Sequence, residues 1–347
     1  MALTKEDTLH AKGIAIFSML MLHLFCRLGN LPYTPLIWIG DTPLIYYLGL
    51  FGDICVPIYC FCAGYTHYLL LDHYPSRYTH QIPNKIIRFL VNYWIIVVIF
   101  SLVGFFFDPT DTIPGSWKSF IGNILIFGMS YNGAWWFVIT YLILLIFSPL
   151  DAKFVKKSPT LLILASSTLI YFISYMFRFN WHLELQSPIL SNIWENIILF
   201  GTSQFSYFLG MLVFKHELPQ KLRKFFDSHN FPIVRASIII ILPLLAFIGH
   251  CIIQSLIVAP ITALIVLLSL FLAKRPPWLD DLLSFLGHHS TNIWFTHMFF
   301  YLTLFNGLVF YAKYPILILG MMLAICIPVS IIITALYKKT LRVLRIK

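Results

Sequence analysis

Lys12 and His23 sit on one apolar run of this 347-residue chain, Asp7–Gly29. In a helix of about 3.6 residues per turn, positions 12 and 23 are just over three turns apart and share nearly one face. At about 1.5 Å rise per residue they stand roughly 16 Å apart along the axis. A face with a fixed cation at its entry and a titratable nitrogen deeper in can hold an anion at one end and move a proton at the other. A lone histidine at that depth also fits a plain interhelical hydrogen bond.

The other ionisable groups within apolar runs are Asp53, His67, Glu195, His250 and His297. Each is costly at membrane depth and so a candidate for function. His297 ends the string Leu286-Gly-His-His-Ser-Thr-Asn-Ile-Trp-Phe-Thr-His297. Within it Ser290, Trp294 and His297 fall on one helical face at i, i+4 and i+7, with Asn292 close by. Such a stripe should face protein or water rather than lipid, as chemistry or as interhelical glue. Lys85 and Arg88, at i and i+3, form a cationic pair that suits a phosphate-bearing ligand. Positive anchoring beside an aromatic belt would give the same string. Trp135 and Trp136 open a later run as a belt or as a cavity wall. Asp53 is expected to be held by Asn or Tyr neighbours. Glu195 and His250 lie at run ends, where snorkelling needs no function. His67 and Asp72 fit an HxxxxD spacing but stand without companion motifs, which marks the spacing as chance.

Positioning these residues falls to a membrane scaffold. The composition is 59% hydrophobic and 11% charged, against about 25% charged in soluble proteins. Apolar runs at 11–28, 47–71, 86–107, 134–151, 159–178, 195–214, 232–250, 252–272, 283–306 and 314–337 each suit a hydrocarbon core of about 30 Å. The expectation is an all-α polytopic membrane protein with ten transmembrane helices and one domain over 1–347. The piece 118–130 is too short to cross and is expected to be a re-entrant or interfacial helix. With both termini cytoplasmic, every Lys and Arg except Arg27, Lys118, Arg178 and Lys313 falls on the inner side, as membrane insertion requires. A crossing by 118–130 would put Lys153, Lys156 and Lys157 outside.

The net charge of +10 follows this loop pattern and forms no basic face with interleaved aromatics, so no nucleic-acid partner is expected. Cys26, Cys55, Cys60, Cys62, Cys251 and Cys326 lie in apolar runs without metal-ligand spacing, so neither a disulfide framework nor a metal is expected. The first run contains His23 and lacks a small-residue cleavage site, unlike a signal peptide.

Five of these places, in order, resemble the acyltransferase-3 family. Lys12 with ten residues to His23, after Asp7 and before Gly13-Ile-Ala, resembles its opening signature. Phe51-Gly-Asp-Ile-Cys-Val-Pro-Ile-Tyr-Cys-Phe-Cys-Ala-Gly-Tyr65 resembles its second span, with Ala63 where Ser is common. Lys85-x-x-Arg88 resembles its RxxR block, with Lys85 keeping the charge of the first Arg but losing the bidentate fork. Trp135-Trp136-Phe137 resembles its WY-type block, and Leu286-Gly…Ser290…Trp294…His297 its LGxxS…H segment.

The resemblance implies an O-acyltransferase of the plasma (bacterial inner) membrane that uses cytoplasmic acyl-CoA, in particular acetyl-CoA. Its acceptor would be a hydroxyl of an extracytoplasmic carbohydrate or lipid-linked sugar, and homo-oligomers are compatible with it. His23 would act as general base or carry a transient acyl group. His297 and Ser290 would orient the acceptor or stabilise the oxyanion. Lys12, Lys85 and Arg88 would hold the donor, and Trp135, Trp136, Asn292, Trp294 and Asp53 the acceptor. The alternative is a transporter or flippase whose histidines relay protons.

Overall fold

The computed structural model describes residues 3–108, 110–181, 183, 185–228 and 231–346. Helix α1 (Lys5–Phe25) begins where Thr4 can cap it. The Thr4 hydroxyl accepts from the Asp7 N–H at 3.1 Å, and the Asp7 carboxylate accepts from the Thr4 N–H at 2.8 Å. This reciprocal box satisfies two donors that a helix start leaves open. It also sets Lys12 about two turns in and His23 in the last turn.

A small hairpin of β1 (Trp38–Ile39) and β2 (Thr42–Pro43) follows. Helix α2 (Leu44–Leu50) runs through a tight 3₁₀ turn (Phe51–Ile54) into α3 (Cys55–His73), so the second span is one run, Leu44–His73, with Asp53 in the turn. Helix α4 (Pro75–Phe107) starts well before the expected 86. Pro75 initiates it, and the helix absorbs Pro83 at the cost of one backbone bond. Lys85 and Arg88 therefore stand about three turns inside a helix.

Helix α5 (Trp117–Ile124) is the short piece expected near 118–130. The chain doubles back after it, with Ser119 Oγ 3.0 Å from Ser130 Oγ and the N–H groups of Phe127 and Gly128 donating to the Gly122 carbonyl. The hairpin tip is fastened to α4: the Tyr93 hydroxyl donates to the Asn123 carbonyl at 2.7 Å and Trp94 Nε1 to the Ile124 carbonyl at 2.9 Å.

Then come α6 (Trp136–Lys157), entered by a 3₁₀ turn at Gly133–Trp135, α7 (Thr160–Phe179), α8 (Pro188–Lys215), the short α9 (Leu218–Ser228) and α10 (Pro232–Ile253). Helices α11 (Ala259–Leu272), α12 (Pro277–Met298), α13 (Asn306–Phe310) and α14 (Pro315–Val343) complete the chain. Among the described residues, eight helices are long and apolar enough to cross a membrane. The other two expected spans coincide with the shorter run Leu256–Leu272 and with α12, whose Asp280, Asp281, His288 and His289 dilute its apolar character. The chain is an all-α polytopic membrane protein.

Two helix pairs hold the bundle tightest. A Cβ on Gly13 would strike the backbone of Leu283, and one on Gly287 the backbone of Leu9, so α1 and α12 meet through reciprocal glycines. Gly64 on α3 and Gly210 on α8 do the same against Tyr207 and Phe61. Small residues of this kind let membrane helices approach at backbone distance. The α1–α12 contact is what brings His23 beside His297.

Three arginines stabilise the end of α11. Arg223 and Arg235 donate to the Phe271 and Leu272 carbonyls, and Arg275 to that of Leu270. Cations at the open carbonyls of a helix C-terminus satisfy acceptors and oppose the dipole.

Candidate active site

Helix α1 carries His23 to a meeting point with the end of α12. The rings of His23 and His297 lie 5.0 Å apart between centroids, tilted by 51°. Tyr301 closes the cluster from a turn of π-helix, Phe299–Thr303, that follows α12. Its hydroxyl stands 3.4 Å from His23 Nδ1, and its ring stacks on His297 at 6.0 Å. The guanidinium of Arg27, one turn past His23, sits 5.5 Å from the centre of the Tyr301 ring.

The two histidines are held differently. His297 is fully buried, and its Nδ1 lies 3.1 Å and 2.9 Å from the carbonyls of Ile293 and Trp294. A carbonyl only accepts, so Nδ1 carries the proton and Nε2 is a lone pair. That Nε2 is buried and meets no hydrogen-bond partner among the described residues. His23 is half-buried, and its ring forms part of a cavity wall.

This cavity has a volume of about 190 Å³. Besides His23 its walls include Asp53, Trp136, Arg178, Thr202 and Trp294. Asp53 meets His250 rather than Asn or Tyr: Oδ2 lies 3.5 Å from His250 Nε2, without the alignment of a hydrogen bond. His250 does not snorkel. It is 1% exposed because α10 lays its last turn over the Asp53 turn. Glu195 is exposed and stands about two turns inside α8 rather than at its end, because Pro188 starts the helix before the expected 195.

A larger cavity of about 790 Å³ lies on the other side. Lys12, Lys85 and Arg88 all line it, together with Gln81, Asn84 and a set of aromatic rings, and no carboxylate among the described residues does. Lys85 Nζ sits 5.1 Å over the Tyr78 ring and Arg88 Nε approaches the Tyr337 hydroxyl at 3.5 Å. His67 also lines it, bonded to the Tyr207 hydroxyl at 3.0 Å, whereas Asp72 pairs with Lys156 at 3.1 Å. The two members of the HxxxxD spacing therefore serve different partners.

Phe137 and Trp294 belong to the walls of both cavities. Their rings stand edge to face at 5.6 Å, and Trp294 Nε1 is anchored on the Ala134 carbonyl at 2.9 Å. An aromatic partition thus separates a basic chamber from the chamber that holds His23.

Four residues expected at the site line neither cavity: His297, whose setting is given above, and Ser290, Asn292 and Trp135. Ser290 is fully buried and donates to the Gly287 carbonyl of its own helix at 2.8 Å. Asn292 ties three helices together: it accepts from Asn92 at 2.8 Å and donates to the Ser330 carbonyl and the Thr334 hydroxyl. Trp135 is fully buried, its Nε1 on the Phe295 carbonyl at 3.0 Å.

Two residues were missed in sequence. Tyr301 continues the face of Trp294 and His297 at i+4, so extending the stripe by one turn finds it. Arg178, expected only as a flanking charge, lines the His23 cavity, and a single Arg ending an apolar run carries no signal that separates the two roles.

A family model described as an acyltransferase domain matches residues 10–335. No curated protein and no solved structure matches the chain.

Proposed function

The chain belongs to the acyltransferase-3 family, and from that premise we propose that it moves an acetyl group from cytoplasmic acetyl-CoA to a hydroxyl of an extracytoplasmic carbohydrate or lipid-linked sugar. It works in the plasma (bacterial inner) membrane as one domain with ten crossings and both termini cytoplasmic. One observation carries this reading: Lys12 and His23 share a face of α1, yet open into two chambers that meet at Phe137 and Trp294.

The basic chamber takes the phosphates of the donor. Three cations with no acidic wall residue suit a multiply charged nucleotide, and the rings of Tyr59, Phe89 and Tyr141 offer faces for an adenine. The arm that bears the thioester passes the partition, a span of about 16 Å along α1. In the outer chamber His23 Nε2 accepts the proton of the acceptor hydroxyl as the oxygen attacks the thioester carbonyl. The C–S bond then breaks, and the sulfur leaves as the thiol after taking the proton back from the imidazole. Tyr301, at His23 Nδ1, fixes the ring so that Nε2 faces the acceptor. His297 supports that ring from the buried side.

The test uses purified full-length protein in nanodiscs with radiolabelled acetyl-CoA. His23→Ala is expected to bind acetyl-CoA as the unaltered protein does and to lose acetyl transfer to cell-envelope glycans, read by mass spectrometry. Full transfer by His23→Ala overturns the role of His23. Failure of the unaltered protein to bind acetyl-CoA overturns the donor and favours the transporter reading.

A further inference from the structure

The outer chamber holds a cation that makes no direct ion pair with the chamber's walls. Arg178 stands near the end of α7, its guanidinium 5.3 Å from the Trp136 ring centre and 5.2 Å from that of Phe179. Its one hydrogen bond among the described residues is from NH1 to the Thr202 hydroxyl at 3.3 Å. No carboxylate among the described residues lies within ion-pair reach of it. The chamber's own carboxylate, Asp53, is turned to His250 instead.

The setting makes this arrangement costly. A part-buried cation that faces a cavity is favoured by a counter-charge there. Stacking on Trp136 orients the planar fork and leaves most of its N–H donors unused. A fork held in that way matches two oxygens of a carboxylate or phosphate. His23 opens on the same small volume, about 190 Å³, so one bound sugar unit can reach both groups.

We propose that the acceptor is anionic: its carboxylate or phosphate docks on Arg178 while a neighbouring hydroxyl is presented to His23. This rests on the reading of the outer chamber as the acceptor site. Arg178 is then the residue that selects acidic over neutral acceptors. Thr202 and Trp136 hold its guanidinium in place.

Equilibrium dialysis of the full-length protein in phosphatidylcholine nanodiscs tests this with two probes, p-nitrophenyl β-D-glucuronide and p-nitrophenyl β-D-glucoside. They differ by one carboxylate. The glucuronide is expected to bind at least about tenfold tighter, a difference of about 1.4 kcal/mol, and α-D-glucose 1-phosphate is expected to displace it. Arg178→Gln should bind both probes alike while keeping its acetyl-CoA affinity, and Arg178→Lys should retain part of the preference. Retained acetyl-CoA binding shows that the variant is folded and that the donor chamber is intact. The comparison of the two probes on the unaltered protein stands without any variant.

Equal affinity for both probes, or a preference that survives Arg178→Gln, overturns the proposal. A guanidinium that ignores the glucuronide but answers to phosphatidylglycerol in the nanodisc serves a lipid headgroup, which also overturns it. Loss of acetyl-CoA binding by the unaltered protein would instead bring down the donor assignment and leave the glucuronide preference to be read by itself.

Discussion

The two chambers differ in size, charge and depth. The basic one is about four times larger, about 790 Å³ against about 190 Å³, and lined by three cations with no acid among the described residues. The outer one mixes an imidazole, a carboxylate and a guanidinium in a small space. A wide, uniformly positive volume favours a polyanion by summed charge and asks little of its geometry. A narrow volume of mixed charge acts through the placement of single atoms. On the function proposed above, binding and chemistry are divided between the two, and α1 lines both.

The largest effect expected from breaking this division is at His23. A positioned general base contributes about 10²–10⁴-fold, so His23→Gln should lower kcat by that order. The dissociation constant for acetyl-CoA should stay within about twofold, because that constant belongs to the other chamber. A parallel loss of donor binding would mean that the chambers are not separate sites.

Next come the inner cations. Each charge-assisted contact to phosphate is worth about 1.5–3 kcal/mol, so Lys85→Gln and Arg88→Gln should each weaken acetyl-CoA binding by about ten- to a hundredfold. The loss should appear in KM for the donor, with kcat held. Lys85→Arg, which restores the fork, should bind at least as tightly as the unaltered chain. Raised ionic strength should weaken donor binding to the unaltered chain more than to either Gln variant.

A smaller effect is expected at the partition. Trp294→Ala removes one of the rings shared by both chambers and the anchor of its Nε1 on Ala134. Water then reaches the thioester more easily, and acetyl-CoA hydrolysis without acceptor should rise several-fold. Thiol release, followed with a chromogenic disulfide, measures it directly. An unchanged hydrolysis rate would mean that another element keeps the chambers apart.

The sequence made some of this division visible and hid the rest, for physical reasons. The Lys12–His23 spacing is a periodicity argument about one helix, and α1 obeys it because its start is capped and its interior unbroken. The short helix near 118–130 was legible as too short to cross, from its length and from the lysines that a crossing would misplace. The starts of α4 and α12 were not, because prolines at 75 and 277 open helices well before hydropathy rises. Pairings between helices leave no trace in a single chain. Asp53 with His250, and Asn292 bonded to Asn92 and α14, depend on which faces the bundle turns together. Ser290 shares the expected face of α12, yet its hydroxyl bonds to its own helix, a local choice open to any serine there.

The smallest effect falls on Tyr301, and it sharpens the comparison most. Its hydroxyl stands 3.4 Å from His23 Nδ1, a long contact, and its ring lies between His297 and Arg27. A neutral hydrogen bond contributes about 0.5–1.5 kcal/mol, so Tyr301→Phe should cost roughly two- to tenfold in kcat. The ring stays, so packing and the melting temperature should hold, and KM for acetyl-CoA should not move because the inner chamber is untouched. A residue that merely fills space would leave kcat unchanged in Tyr301→Phe and lower it only in Tyr301→Ala together with stability. Tyr301→Phe and Tyr301→Ala therefore distinguish a hydroxyl that orients His23 from a ring that packs against it. If Tyr301→Phe moves donor KM instead, the site of chemistry reaches through the partition and the two chambers work as one.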